Sequence, residues 1–276
     1  MTFTRRAVLG ATLAAPFAAR AQARPVLRIG VLTDLTGPYR DTGGLTSIAC
    51  ARQAMQEAGG GMAVELLVGD HQQKADIGLA LARQWLDRDG VDVIIDVNNS
   101  AIALAVSGLV RDRDRMHLNT GAATSDLTGI ACNANTAAFT TDTWCRAHST
   151  AGAILRRGGL RWFFITADYA FGRSIQADAA AVIEAAGGSI VGSAAYPFPG
   201  TTDFSALLLQ AATSGAQVVA FANTGADLAN CIKQAREFGV DRTMTLAALA
   251  CFINDVLAMG LPVAQGMMLT ERVGGS

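Results

Sequence analysis

Charge of one sign is what this sequence most plainly lacks. Its 22 basic residues stand against 23 acidic ones, so no basic stripe is available to grip a phosphate backbone and nucleic acid is excluded as a partner. Aromatic residues make up only 6%, and beyond the N-terminal segment no apolar run is long enough to span a membrane. Five cysteines, Cys50, Cys132, Cys145, Cys231 and Cys251, are scattered without any CxxC spacing, which argues against a metal or redox centre. An odd count leaves at least one thiol unpaired. Four of the five lie in apolar helix-like or strand-like settings that predict small buried hydrophobes. Enzyme signatures are missing too: no GxGxxG follows the first strand, and there is no Walker loop, GxSxG elbow or HExxH. His71, His117 and His148 fall in separate elements. His117, in a short apolar strand, reads as a core residue, and His71 as part of a surface loop. Neither a cofactor nor an enzymatic activity is expected.

What is present is small and apolar. Glycine occurs 29 times and apolar residues reach 51%, much of it alanine, a composition suited to helices packed closely on a sheet. Residues 1–23 form a segment of their own, with Arg5 and Arg6, an apolar stretch Ala7–Ala19, and Ala21-Gln22-Ala23 in the A-x-A form of a cleavage site. This predicts a twin-arginine-like signal peptide cut after Ala23 and a periplasmic product that does not span the membrane.

Strand-like runs then alternate with helix-period segments. Strands are expected at Leu27–Leu35, Val64–Val68, Val91–Val97 and Met116–Leu118, with helices at Leu45–Ala58, Ala75–Asp89 and Ala101–Arg111 between them. An irregular polar stretch, Asn119–Thr141, follows. The rhythm resumes with helices at Asp142–Arg157, Arg173–Ala186, Phe204–Thr213 and Ala226–Phe238, and strands at Arg161–Thr166, Ile190–Tyr196, Val218–Ala222, Met244–Leu249 and Met267–Thr270. Glycines close many of the helices. Two parallel-sheet α/β lobes result, an N-terminal one at 24–140 and a second at 141–276. In such sheets ligands bind beyond the carboxyl ends of the strands, and small polar residues collect there. Ser100 stands where an N-cap is expected, and a helix N-terminus also favours an anion; spacing alone leaves capping and ligand binding both open. Ala122, Ala123 and Thr124 repeat the theme after the fourth strand. Tyr169 and Phe171 form an aromatic pair at another strand end, and Asn223, Thr224 and Asp227 reach the same edge.

"IGVLTDLTGPYRDTGG", "VGDHQQKAD", "VDVIIDVNNSAIALAV", "TGAATSDLTG", "ADYAFG" and "IKQAREFG", in that order, resemble the landmarks of type I periplasmic solute-binding proteins, the extracellular receptors of branched-chain amino-acid-type ABC transporters. The resemblance covers nearly the whole chain after residue 23. It implies two Rossmann-like lobes that close on a small organic acid or amino acid and deliver it to ABC permease subunits. It also implies a carboxylate grip at Ser100 and Ala122–Thr124 and an aromatic cover at Phe171, shared with Tyr169. Asn99, Asn223 and Thr224 are further candidate ligand contacts. Thr42 matches the family's first-loop aromatic wall, with Tyr39 as its substitute. For an α-ammonium partner the candidates are Asp142, Asp168, Asp227 and Asp255. The family's usual chain continues past the strand matching Gly266–Glu271, so the C-terminal part of the fold is expected to be missing here. A ligand-sensing domain for a signalling partner is the alternative reading, and an enzyme on the same scaffold a more distant one.

Overall fold

The computed structural model describes residues 26–58 and 61–270; the signal peptide, its cleavage site and Glu271 lie outside the described residues. Among the described residues, ten strands form two five-stranded sheets, every pairing parallel. The first is ordered β2-β1-β3-β4-β5 and uses β1 (Val26–Thr33), β2 (Ala63–Asp70), β3 (Val93–Asp96), β4 (Met116–Asn119) and β5 (Thr136–Ala138). The second is ordered β10-β9-β8-β6-β7, from β6 (Arg161–Ala167), β7 (Ser189–Tyr196), β8 (Val218–Ala222), β9 (Thr245–Ala248) and β10 (Met268–Leu269). The strand β5 falls inside the stretch expected to be irregular. It has only three residues, too few for a periodic signal, and pairs with β4 through His117, Leu118 and Asn119.

Helices α1 (Gly44–Ala58), α2 (Ala75–Gln84) and α3 (Ser100–Asp112) cross between the strands of the first lobe. The predicted helix Ala75–Asp89 changes character near its end, where Trp85–Asp89 widens into a π turn. That turn lays the Trp85 ring on the sheet, where a Cβ on Gly30 would stand 2.5 Å from the indole. Helices α4 (Thr143–Leu155), α5 (Ala170–Ala185), α6 (Ser205–Thr213) and α7 (Gly225–Glu237) serve the second sheet. Two short helices, α8 (Ile253–Met259) and α9 (Leu261–Ala264), precede β10.

The two sheets differ in cover. The second has a core on both faces, one around Phe163, Ile165, Phe204 and Phe221, the other around Trp162, Phe164, Ile175 and Ile183. The first has one large core, around Leu32, Trp85, Ile94, Ile102 and Val106 beneath α2 and α3. On its other face Leu27, Ile29, Ile95 and Leu118 are only half-buried and line, with Met55, Met62 and Phe139, an apolar groove of about 500 Å³. Fewer cysteines are buried than expected. Cys231 and Cys251 are inside, while Cys50, Cys132 and Cys145 are exposed, and all five are free thiols. Cys50 and Cys145 sit on outward sides of α1 and α4, which the surrounding alanines do not reveal.

Candidate functional site

The carboxyl ends of β1, β3, β4, β6 and β8 point toward one another across the gap between the sheets. Between them lies a cavity of about 120 Å³. The size suits one small organic molecule, since a cavity of about 150 Å³ takes up benzene.

The first-lobe wall is built on α3. Asn99, not Ser100, is the N-cap: its side chain accepts from Ile102 N at 3.0 Å and donates to Gln73 Oε1 at 2.6 Å. Asn99 is therefore spent within the first lobe and does not line the cavity. Ser100 is the first helical residue. It does line the cavity, and its Oγ accepts from Thr124 N at 3.3 Å. The leading N–H groups of α3 have no partners within the helix, as at any helix start. Beside them runs the loop after β4, clamped by Asn119, whose amide accepts from Ala122 N and donates to Ala122 O. This clamp sets Gly121, Ala122 and Ala123 along the cavity. Thr124 lies just behind, bridging to Ser174 of α5 at 3.2 Å.

Asn98 is the asparagine that faces the cavity. Its Oδ1 accepts from Asp34 N at 3.0 Å and sits 2.9 Å from His71 Nε2, while its Nδ2 donates to Tyr39 O. Because His71 Nδ1 accepts from Gln73 N, the ring proton resides on Nε2 and is donated to Asn98. His71 is thus fully buried, contrary to the surface position expected. Burial holds its pKa below the usual histidine value and keeps it neutral.

The second lobe supplies an aromatic lid. Helix α5 begins at Ala170, three residues before the position expected, which places Phe171 in its first turn, buried against the cavity. Tyr169, half-buried, stacks on Phe198 at 4.3 Å between centroids. Tyr39 crosses from the first lobe, stacks on the same Phe198 at 5.3 Å, and shares a hydroxyl–hydroxyl bond of 2.6 Å with Tyr169. Tyr39 therefore supplies an aromatic wall beside Thr42, which also lines the cavity. Thr224 lies on the wall as well. Asn223 does not: it is fully buried behind the wall, donating to Cys231 Sγ.

Sequence reasoning missed six lining residues outside the strand-end loops: Ser47, Asp96, Thr140, Arg146, Ala250 and Phe252. Arg146 is buried in α4, donates to Thr141 O and lies 4.8 Å over the Phe252 ring. Helix periodicity identifies only its face, not what that face meets. The four acids considered as ammonium partners are all engaged elsewhere. Asp142 caps α4, Asp168 pairs with Arg173, Asp227 accepts from Tyr196, and Asp255 accepts from Phe252 N. The carboxylate on the cavity wall is that of Asp96.

Two parallel α/β lobes meet over a small cavity with hydroxyls and a helix start on one side and aromatic rings on the other, a layout suited to holding a small molecule between them. Residues 26–273 match the family model described as periplasmic binding protein, and the chain belongs to that family. Among solved structures, a periplasmic binding protein from Burkholderia mallei is 41% identical, with a TM-score of 0.86 over 88% of this chain and 66% of its own. A branched-chain amino acid ABC transporter periplasmic ligand-binding protein from Burkholderia xenovorans is 39% identical, with a TM-score of 0.71 over 87% of this chain and 65% of its own. An R. palustris solute-binding protein in complex with benzoate shares the fold at 19% identity, with a TM-score of 0.79 over 88% of this chain and 67% of its own. The chain thus spans about two thirds of the length of these structures. No protein of curated function matches it.

Proposed function

We propose that this protein is the periplasmic substrate-binding component of an ABC importer, that it captures a small carboxylate between its lobes, and that it presents the closed complex to permease subunits in the inner membrane. The supporting observation is the cavity, where the start of α3, Ser100 and the Ala122-Ala123 backbone face Tyr39, Tyr169 and Phe171 of the aromatic wall. The helix start favours an anion, the guanidinium of Arg146 adds positive potential on the same wall, and the rings cover an apolar body. Thr42 and Thr224 complete the contacts. Closure brings both halves onto the ligand, so binding shifts an open–closed equilibrium. One neighbour at 19% identity holds benzoate and another at 39% carries a branched-chain amino acid description; both compounds are carboxylates.

A thermal-shift screen of aliphatic, aromatic and amino acids tests this reading. At least one carboxylate should raise Tm in a concentration-dependent way, and no response to any carboxylate would refute the proposal. Ser100→Ala should weaken the best binder by about 1.5–3 kcal/mol, the range for a hydrogen bond to a charged group, beyond a modest loss of Tm in the unliganded protein, where Thr124 N loses its acceptor.

A further inference from the structure

Besides the Tyr39–Tyr169 bond, the lobes are joined by a cluster of hydroxyls on one face of α5. Phe171, Ser174 and Asp178 follow one another by three and four residues and so share that face. Phe171 covers the cavity, while the two polar residues meet the first-lobe loop after β4. Ser174 Oγ accepts from Thr124 Oγ1 at 3.2 Å and lies 2.8 Å from Thr143 Oγ1 and 3.4 Å from Ser125 Oγ. Ser125 Oγ in turn donates to Asp178 Oδ2 at 3.1 Å. The loop that sets Ala122 and Ala123 along the cavity is thus fastened, at its next two residues, to the helix that carries Phe171.

The direction of these bonds follows from the groups at their ends. The Asp178 carboxylate only accepts, which commits the Ser125 proton to it. Thr124 gives its proton to Ser174 and its lone pair to Asp126 N. Thr143 Oγ1 accepts from Ser125 N, and its own proton has Ser174 within reach. Ser174 is left to donate to Ser125. In this arrangement all four hydroxyl protons are used, and Ser174 accepts twice and donates once, the full capacity of a hydroxyl. Bonds linked in this way polarise one another.

The other end of the network reaches the ligand wall, where Thr124 N donates to Ser100 Oγ at 3.3 Å. An anion that takes the Ser100 proton makes that oxygen a better acceptor for Thr124 N, and so firms the loop that Ser174 holds. Ser174 itself does not line the cavity. We infer that Ser174 is a positioning residue that couples occupancy of the first-lobe wall to the pairing of the lobes, so that losing its hydroxyl hastens release of a bound molecule without removing a direct contact. This rests on the receptor reading above.

Stopped-flow release of benzoate and of leucine from the full chain, with small-angle scattering of the unliganded protein, tests the inference. Ser174→Ala should speed release about tenfold while the rate of capture stays within about threefold, and should increase the radius of gyration of the unliganded protein. Thr124→Val removes the other end of the same bond, so the double variant should release no faster than the quicker of the two single variants. Thr124→Ser keeps the hydroxyl and should stay within about twofold of wild type. A merely structural role would lower Tm and leave release unchanged. Wild-type release from Ser174→Ala, or additive losses in the double variant, would overturn the coupling while leaving the receptor reading intact. Binding of neither probe would count against the carboxylate reading, and scattering then decides alone: an unchanged radius of gyration in Ser174→Ala overturns the role of Ser174 as well.

Discussion

Asn98 and Asn99 are adjacent and chemically identical, yet one caps α3 and the other faces the cavity. The sequence shows that a cap is needed at this joint; it does not show which of three small polar residues provides it, because that depends on where φ turns positive at Asp96 and Val97. His71 was equally illegible, since its burial comes from Asn98 and Gln73, distant in sequence or dependent on loop geometry. Other buried titratable groups give this scale a testable consequence. Burial pushes Asp227 up to about 6, against the hydrogen bond donated by Tyr196, and pushes His117 down to about 4. A raised carboxyl contributes stability below its unfolded value that is lost as pH rises through about 6. A depressed histidine contributes stability above its unfolded value, 6.5, that is lost as pH falls toward about 4. The two oppose each other between about pH 4 and 6. Asp227→Asn should therefore raise Tm near pH 8 and make the loss of stability on acidification steeper than in wild type, as read by thermal melts across that range.

At the scale of elements, alternation and glycine punctuation located the major strands and helices to within a few residues. Helix α5 starts earlier than the sequence predicts because Tyr169-Ala170-Phe171 reads as an apolar loop until Gly172 and the helix behind it are packed against β6. A Cβ on Gly172 would fall 2.0 Å from Ala167 O. The start of α7 shows a sharper requirement. Gly225 has φ +62°, and a Cβ there would stand 2.7 Å from Pro38 O of the other lobe. Gly225→Ala combines left-handed strain with an interlobe clash. It should lower ligand affinity about tenfold or more, while far-UV circular dichroism stays near that of wild type. Unchanged affinity would show that the lobes need not approach this closely to bind.

For the molecule as a whole, the two-sheet α/β architecture was legible because each lobe repeats the same strand–helix rhythm. Uneven cover was not, since half-burial of Leu27, Ile29, Ile95 and Leu118 depends on what lies over them. An apolar groove of this size should take up a hydrophobic dye. Met62→Glu together with Phe139→Glu, both at exposed positions, should reduce dye fluorescence clearly without lowering stability by more than about 1 kcal/mol. The bridge between the lobes has a consequence of another kind. Tyr39 and Tyr169 meet through one short hydroxyl bond, backed by Ala226 N donating to Pro38 O and Asn254 donating to Asp41 O. Escape of a captured molecule past this edge requires these bonds to break together, so they act on residence time more than on the rate of capture. In the proposed receptor, the same few atoms that hold the ligand in also set how promptly the protein can let it go.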